Sequence, residues 1–291
     1  LVAACSQDPA GIGVPLSEAS IAFVSNGPDS FRHIYVLNLG DSSMTQLTHS
    51  TASDDAPAWS PDRRRIAFQR NGDATAAGVW LMGADGSGAV RATSLVGIPA
   101  WLPGGRMAVM ARESVTVINL NRSPYSTSQA YHLGTADVAW SPDGWTIAFT
   151  GIARDFEDAR FTLVYLWNVN RSIVRPLRAE CTSYACGYSD SERGPAWSPD
   201  GKKLAFWSRW FGITVANRDG SGMLSVTHDG WGVTGGGSPD PSEAMPDWSP
   251  EGDRLVFVRE GQLFVTRADG TGAARAVTAL PSGAWSPAWS R

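Results

Sequence analysis

The sequence predicts an all-β fold, a six-bladed β-propeller built from four-stranded antiparallel blades. A Trp-Ser-Pro-Asp motif recurs along the chain, a short apolar strand follows the copies, and the two chain ends are out of phase with the repeat. The full motif occupies 59–62, 140–143 and 197–200, and relaxed copies begin at Trp101, Trp248 and Trp289. Successive tryptophans are 42, 39, 57, 51 and 41 residues apart. Units of this length bury their apolar faces by stacking on neighbours, as propeller blades do.

Each blade is expected to contain three further strands after its tryptophan. A Ser-Pro-Asp-Gly turn introduces the second strand, because Pro presets φ and Gly accepts a positive φ. These second strands are expected at 21–23, 66–68, 107–109, 147–149, 204–206 and 255–257. Third strands are expected at 79–82, 115–118, 163–166, 213–215 and 263–265, and short fourth strands end near 47–48, 226–227 and 277–278.

The ends of the chain predict how the ring closes. The first unit begins at its second strand, with no tryptophan strand before it, and the last unit stops just after Trp289. The C-terminal strand should therefore become the innermost strand of the N-terminal blade. Such closure leaves no open sheet edge between the first and last blades. We expect residues 1–19 to form a tether and residues 20–291 to form the propeller.

The repeat resembles that of the TolB-like propeller family. The shared pattern is Pro-x-Trp-Ser-Pro-Asp-Gly-x-x-Ile-Ala-Phe, then Ile-Tyr-Val-x-Asn and Asp-Gly, and it covers nearly all of the chain after residue 20. The resemblance implies the fold, whereas one fold serves many functions. About twenty residues precede the first strand. The α/β domain that precedes the propeller of TolB is therefore not expected here, and a role in the Tol–Pal system does not follow.

Composition argues against several classes of function. The chain has 24 Lys and Arg against 28 Asp and Glu, and this net charge of −4 gives no basic field for nucleic acid. It contains no run of 18 apolar residues, so no membrane-spanning helix is expected. The sequence has no Gly-x-Ser-x-Gly elbow and no His-Glu-x-x-His motif. We expect no cofactor and no bound metal.

The first residues resemble the lipobox of bacterial lipoproteins. Small residues precede Cys5 in Leu-Val-Ala-Ala-Cys-Ser. The resemblance implies that Cys5 is acylated after cleavage of a signal peptide, which would make the protein an extracytoplasmic or periplasmic lipoprotein tethered to a membrane. Ser6 would favour the outer membrane in a Gram-negative cell. The alternative is a cysteine that is there by chance.

Two further cysteines, Cys181 and Cys186, lie in one short segment. In an oxidising compartment this pair predicts a local disulfide. A metal site is the alternative, but it would normally recruit more Cys or His ligands, and none is close in the sequence.

The tight turns and the long connections should lie on opposite faces of the propeller. Long loops on one side of a rigid scaffold usually carry function, and we call that side the loop face. The charged residues expected around its channel mouth are Asp54, Asp55, Asp137, Glu192, Arg193 and Glu243. They predict an acidic rim for a cation, a basic peptide or a sugar, or else ordinary solvated loop charges.

Three aromatic residues near the fifth blade have no counterpart in other repeats. They are Trp210, Phe211 and Trp231, all in connections of the loop face. Repeat packing does not require them, and aromatic residues on loops stack on sugars or anchor protein partners. The alternative is that these loops pack on their own aromatic residues.

Two classes of function fit these features. The first is an exported, lipid-anchored, non-catalytic subunit of the cell envelope that binds a protein partner, such as a domain of a larger membrane complex. The second is an extracytoplasmic carbohydrate-active propeller that binds, hydrolyses or eliminates a glycan, for which rim carboxylates would be suitable. The lack of a catalytic motif in the sequence favours the first class.

Overall fold

The computed structural model describes eleven stretches of the chain. They are 20–73, 75–111, 114–121, 126–132, 137–154, 160–171, 173–177, 191–209, 211–227, 245–277 and 283–290. These residues form six four-stranded antiparallel sheets and no helix. The predicted six-bladed all-β propeller is confirmed.

Counted outward from the central channel, the strands follow chain order in blades 2 to 6, whereas the C-terminal strand is the innermost strand of blade 1. Blade 1 contains β24 (Trp285–Trp289), β1 (Ser20–Asn26), β2 (Arg32–Asn38) and β3 (Met44–Gln46). Blade 2 contains β4 (Asp54–Trp59), β5 (Arg65–Arg70), β6 (Gly78–Gly83) and β7 (Val90–Thr93). Blade 3 contains β8 (Ile98–Leu102), β9 (Arg106–Ala111), β10 (Ser114–Asn119) and β11 (Ser126–His132).

The second half of the ring repeats this order. Blade 4 contains β12 (Val138–Trp140), β13 (Thr146–Arg154), β14 (Arg160–Asn168) and β15 (Ile173–Pro176). Blade 5 contains β16 (Glu192–Trp197), β17 (Lys203–Ser208), β18 (Gly212–Asn217) and β19 (Leu224–Ser225). Blade 6 contains β20 (Asp247–Trp248), β21 (Arg254–Arg259), β22 (Gln262–Arg267) and β23 (Arg275–Ala276).

The fourth strands end slightly earlier than the sequence predicts. The Leu47-Thr48 pair, for example, follows β3 instead of ending it. Leu47 still donates its N–H to the carbonyl of Ile34 over 2.8 Å, and the Thr48 hydroxyl accepts the Ile34 N–H over 3.0 Å. The Thr48 side chain thus continues the hydrogen bonds between the third and fourth strands beyond the last backbone pair. The Leu-Thr motif therefore predicts a strand end that is slightly too late.

The C-terminal strand closes the ring as predicted. Trp289 in β24 lies opposite Ile21 in β1. Ser290 donates its N–H to the carbonyl of Ser20 over 2.9 Å, and the carboxylate of Asp247 in blade 6 accepts the N–H of Trp289 over 2.8 Å. The closing strand is therefore bonded to both of its neighbouring blades.

The repeat tryptophans join neighbouring blades. The indole Nε1–H of Trp101 donates to the carbonyl of Ala58 over 2.9 Å, and Ala58 directly precedes the tryptophan of the preceding blade. Trp248 makes the equivalent bond to Ala196 over 3.0 Å. Trp197 does the same with Ala139 over 3.2 Å. In these three contacts the acceptor belongs to an alanine of the adjacent inner strand, and a larger side chain there would keep the two blades further apart.

The Ser-Pro-Asp turns are held by side chains as well as by backbone. In blade 2 the Ser60 hydroxyl donates to the Asp62 carboxylate over 2.6 Å and accepts the N–H of Arg65 over 2.9 Å. This bond to Ser60 holds the pKa of Asp62 below its ordinary value, and the Arg64 N–H contributes in the same direction. Blades 4 and 5 repeat the arrangement with Ser141 and Ser198.

Strand order sorts the connections onto two faces. The turns between first and second strands and between third and fourth strands lie on one side, which we call the turn face. The connections between second and third strands and between blades lie on the loop face. Because the blades form a closed stack of sheets, residues of distant repeats come together on each face.

Removing residues 284–291 tests closure. The truncated chain should expose the edge of β1 and lose the contacts of Trp289, which is 3% exposed. We expect aggregation and a markedly lower melting temperature, measured by light scattering and thermal unfolding against the full chain. Unchanged solubility together with unchanged melting would contradict closure by this strand.

Candidate functional site

The inner strands of the described residues surround a central channel, a cavity with a volume of about 580 Å³. All six inner strands contribute to its wall, and the wall is mainly apolar. Its loop-face end is lined by the residues three positions before the repeat tryptophans. These are Ala56, Ile98, Asp137, Gly194, Met245 and Ser286. In five blades the next residue of the wall is proline, at Pro57, Pro99, Pro195, Pro246 and Pro287.

Proline suits this wall because the inner strand of each blade has one free edge. In blade 3, Pro99, Ala100 and Trp101 pair with β9 in an unbroken register, so their backbone groups are directed alternately toward the channel and toward β9. The side of the strand that bonds β9 alternates with the side that faces the channel. Pro99 lies at a channel-facing position, where an N–H would have no partner strand. Proline therefore leaves no unpaired donor in an apolar channel.

Two carboxylates occupy this wall, and both accept backbone N–H groups from a neighbouring blade. Asp247 accepts from Trp289 over 2.8 Å, as described above, and Asp137 accepts from Gly194 over 3.3 Å. Asp137 was predicted as a rim residue, and it does line the channel. Asp247 was not predicted. Its signal in the sequence is that the residue before the repeat tryptophan is alanine in the other five blades.

Three inner strands contain an irregularity at their loop-face end. The register shifts between Asp55 and Ala58, and again between Arg193 and Ala196. Ala56 has a φ of 49°, a conformation that residues with a Cβ rarely adopt. The bulge re-aims the residues that precede it, which places Asp54 and Asp55 at the boundary between blades 1 and 2.

The expectation that Asp54 belongs to an exposed rim is wrong. Its side chain is fully buried, and it forms a bidentate ion pair with Arg70 at 2.7 and 2.9 Å. The guanidinium of Arg70 also lies 4.5 Å above the ring of Trp80. Burial makes this carboxylate inaccessible to a ligand, and the pair instead fixes the loop-face end of blade 2.

Glu192 is also buried, with 0% exposure, so its predicted place on an exposed rim is wrong as well. One carboxylate oxygen accepts the N–H of Val164 in blade 4 over 2.7 Å. The neighbouring Arg193 is exposed, as predicted. Glu192 thus connects blades 4 and 5, while Arg193 remains available on the loop face.

Asp55 is the predicted rim residue with the most unusual environment. Its carboxylate lies 2.9 Å from the guanidinium of Arg32 and accepts a bond from Asn71 over 2.7 Å. Burial raises the pKa of Asp55, and the charge of Arg32 only partly offsets that effect. The Asp55 side chain is 19% exposed and that of Arg32 is 47% exposed, so this pair reaches the solvent on the loop face.

Large apolar side chains are exposed on the loop face. Phe211, one of the predicted aromatic residues, is 43% exposed. Phe31, Leu95, Val96 and Met245 are exposed to a similar degree on other connections of this face. Trp207 is 6% exposed and packs between blades 5 and 6. Trp210, Trp231, Glu243, Cys5, Cys181 and Cys186 lie outside the described residues.

Among the described residues, no group of three or more His, Cys, Asp or Glu side chains could hold a metal ion. Within the same residues, no helix has the length and apolar character needed to cross a membrane.

Comparisons with known proteins identify the fold. No family model matches the chain. A curated protein of Bacillus subtilis (strain 168), "Uncharacterized peptidase YuxL", is 25% identical over 190 residues, which are 63% of this chain and 26% of the relative. The chain therefore spans about a quarter of that relative's length.

Solved structures give a broader likeness. TolB from Acinetobacter baumannii matches with a TM-score of 0.68 and 18% identity, over 97% of this chain and 68% of that one. A putative TolB from Agrobacterium tumefaciens matches with a TM-score of 0.64 and 17% identity, over 92% of this chain and 91% of that one. An oligogalacturonate lyase from Vibrio parahaemolyticus matches with a TM-score of 0.53 and 16% identity, over 88% of this chain and 73% of that one. At these identities the likeness shows the fold, a TolB-like six-bladed propeller.

The buried ion pair of blade 2 makes a testable prediction. Arg70→Met should leave the Asp54 carboxylate buried without its partner and lower the free energy of unfolding by about 3–5 kcal/mol. The double variant Asp54→Leu and Arg70→Met should recover most of this loss, because no unpaired charge remains. Chemical denaturation measures both. A single variant as stable as the wild type would contradict the structural role of the pair.

Proposed function

We propose that this chain is an exported, lipid-anchored binding or assembly subunit of the cell envelope, without catalytic activity, which binds a protein partner through its loop face. The observation that carries the proposal is the set of exposed apolar side chains on the loop face, one of which, Met245, also lines the apolar channel of about 580 Å³. The likeness to TolB structures supports a TolB-like scaffold, and that likeness together with the lipobox-like residues before Cys5 supports an envelope location.

The chemistry of the loop face favours a protein partner. Phe211 and Phe31 offer aromatic surface on a rigid scaffold, and Met245 and the Leu95-Val96 pair add adaptable aliphatic surface. Binding energy in protein interfaces concentrates in such apolar anchors, with a polar rim around them. Asp55, Arg32 and Arg193 would provide that rim, and we include Asp137, Trp210, Trp231 and Glu243 in the proposed binding surface.

Asp54 and Glu192 contribute to the proposed binding surface only indirectly. Both are buried and bonded within the propeller, so they act on a partner only through the loops that they position. Substituting either one should reduce stability, whereas substituting Asp55 should mainly change the rate of association and its dependence on salt.

A capture experiment from membranes tests the binding surface. Phe211→Ala should weaken partner binding by roughly 30-fold, because truncating a buried aromatic anchor commonly costs about 2 kcal/mol. Ser87→Ala and Ser221→Ala on the turn face serve as controls and should bind normally. Titration of the captured partner against each variant gives the affinities. Loss of binding in the two serine variants, with Phe211→Ala unaffected, would show that the interface lies on the turn face and would contradict the proposal.

Acylation of Cys5 is a separate part of the proposal, and it has its own test. Expressed with a signal peptide, the protein should partition into detergent and carry the mass of a lipid, while Cys5→Ser should appear in the soluble fraction. Mass spectrometry and detergent partitioning measure this. A soluble wild-type protein with a free Cys5 thiol would overturn the anchor. Export would also favour a disulfide between Cys181 and Cys186, detectable by thiol counting.

An extracytoplasmic carbohydrate-active propeller is the second candidate. The observation that favours it is Asp55, a partly exposed carboxylate with a raised pKa beside Arg32 and Asn71. Perturbed carboxylates cluster at functional sites, including sites that act on glycans. If this candidate is right, the protein should bind or cleave an acidic or neutral polysaccharide, and Asp55→Asn should abolish that activity while leaving the fold intact.

A further inference from the structure

Blade 4 extends further over the loop face than the other blades. Its second strand, β13, has nine residues, whereas the second strands of the other five blades have six or seven. All six begin one residue before the partner of the repeat tryptophan, as Thr146 precedes Ile147, so the additional length lies at the loop-face end. The third strand, β14, also has nine residues.

The additional length forms a two-stranded antiparallel ribbon. Its backbone pairs are Ile152 with Thr162, Ala153 with Phe161 and Arg154 with Arg160, and we call these three pairs the blade 4 ribbon. Three residues of strand span about 10 Å, so the ribbon projects by roughly that distance beyond the other blades.

Hydrogen bonds hold the outer edge at the base of the ribbon. Val164 donates its N–H to the Glu192 carboxylate of blade 5 over 2.7 Å, and its carbonyl accepts the N–H of Leu177 over 2.7 Å. The Thr162 hydroxyl donates to the Glu192 carbonyl over 3.0 Å. Blade 5 thus fixes the direction in which the ribbon projects.

The inner edge of the blade 4 ribbon has a different environment. Thr150, opposite Val164, directs its N–H inward and donates to the carbonyl of Asp137 over 3.0 Å. Because these directions alternate along a strand, Ile152 and Arg154 also direct their N–H and C=O groups inward. No strand among the described residues pairs with β13 on this side beyond Phe149.

An inner strand of the usual length does not reach the ribbon. In blades 2 and 5 the inner strand begins opposite Arg70 and Ser208, each four residues after the partner of the repeat tryptophan. The equivalent position in blade 4 is Gly151. The inward backbone groups of residues 152–154 therefore lie beyond the level that inner strands reach in those two blades.

An edge of this kind is complementary to an extended polypeptide, whose own N–H and C=O groups alternate with the same spacing. Residues 151–153 carry no charge, and the ribbon contains no proline, so it lacks two features that commonly block strand addition at that point. Two strands alone are only marginally stable, and a third strand would stabilise them. Asp137 lines the channel, so the inner edge begins at the channel mouth.

We propose that an extended segment of the protein partner adds to the inner edge of the blade 4 ribbon as a third β-strand. The inference rests on the proposed function, because it specifies how the partner of the loop face is held. Ile152 and Arg154 supply the backbone hydrogen bonds. The exposed apolar side chains of the loop face contact the rest of the partner.

Amide hydrogen exchange in the free chain, resolved by residue with NMR, tests whether the edge is open. The N–H of Ala153 is directed toward β14 and should exchange at least ~10-fold more slowly than those of Ile152 and Arg154. Equal protection of all three amides would show that the inner edge is already covered. That result would overturn the proposal before any partner is added.

The partner captured from membranes by the parent chain is the probe for the bound state. Its addition should slow exchange at Ile152 and Arg154 by at least ~10-fold. Ile152→Pro removes the inward N–H and should weaken binding by about 10-fold or more. Ile152→Val keeps that N–H and should bind as the parent does, and circular dichroism verifies that both variants are folded.

Three outcomes would overturn the proposal, and they differ in what they leave standing. Unchanged exchange at Ile152 and Arg154, or unchanged affinity in Ile152→Pro, would leave the loop-face function intact. Self-association of the parent chain that protects these amides, measured by light scattering and exchange, would assign the edge to a second copy. A parent chain that captures no partner would overturn the loop-face function itself.

Discussion

The ring depends on inner-strand tryptophans that pack between blades, and in three of them, Trp101, Trp197 and Trp248, the indole also donates its N–H to a carbonyl of the preceding blade. Trp248, which is completely buried, makes this bond to Ala196. The alanine that precedes the tryptophan in five of the six blades is part of the same packing, because a larger side chain there would separate the two sheets. Repetition of the contact sets the spacing of the blades, and closure by Trp289 removes the last open edge of the inner ring.

Consequences for function follow from this packing. Inner strands that approach closely leave a channel lined by alanine and proline. On the channel-facing edge of each strand, a backbone N–H group needs an acceptor from another blade unless the residue is proline, which has no N–H. Asp137 and Asp247 meet that need from neighbouring blades. The same packing separates the connections into a turn face of short, side-chain-capped turns and a loop face of longer segments. The proposed partner surface is thus built from connections of several blades that are distant in the sequence.

Much of this architecture could be predicted from the sequence because the repeat is local. A tryptophan followed by Ser-Pro-Asp specifies a strand end and a turn within a few residues, and the phase of Trp289 specifies closure. The state of Asp54 could not be predicted in the same way. Its partner Arg70 is on the adjacent strand, and only the register and the bulge at Ala56 bring the two together. Exposure of Phe211 depends similarly on how its connection packs.

The role of Asp247 illustrates the same limit. Its bond to Trp289 joins residues 42 positions apart across the closure of the ring. The sequence contained a signal, a single exception to alanine, but the meaning of that exception depends on knowing which blades are adjacent.

Hydrogen exchange of Trp248→Phe tests most directly whether the indole contact holds the ring together. The substitution keeps an aromatic ring but removes the donor to Ala196, and Trp145→Phe on the exposed turn is the matched control. The account predicts faster exchange in the strands of both blade 5 and blade 6, with one cooperative melting transition at a lower temperature. Exchange that rises in blade 6 alone, or that matches the control, would contradict the claim that this contact joins the blades.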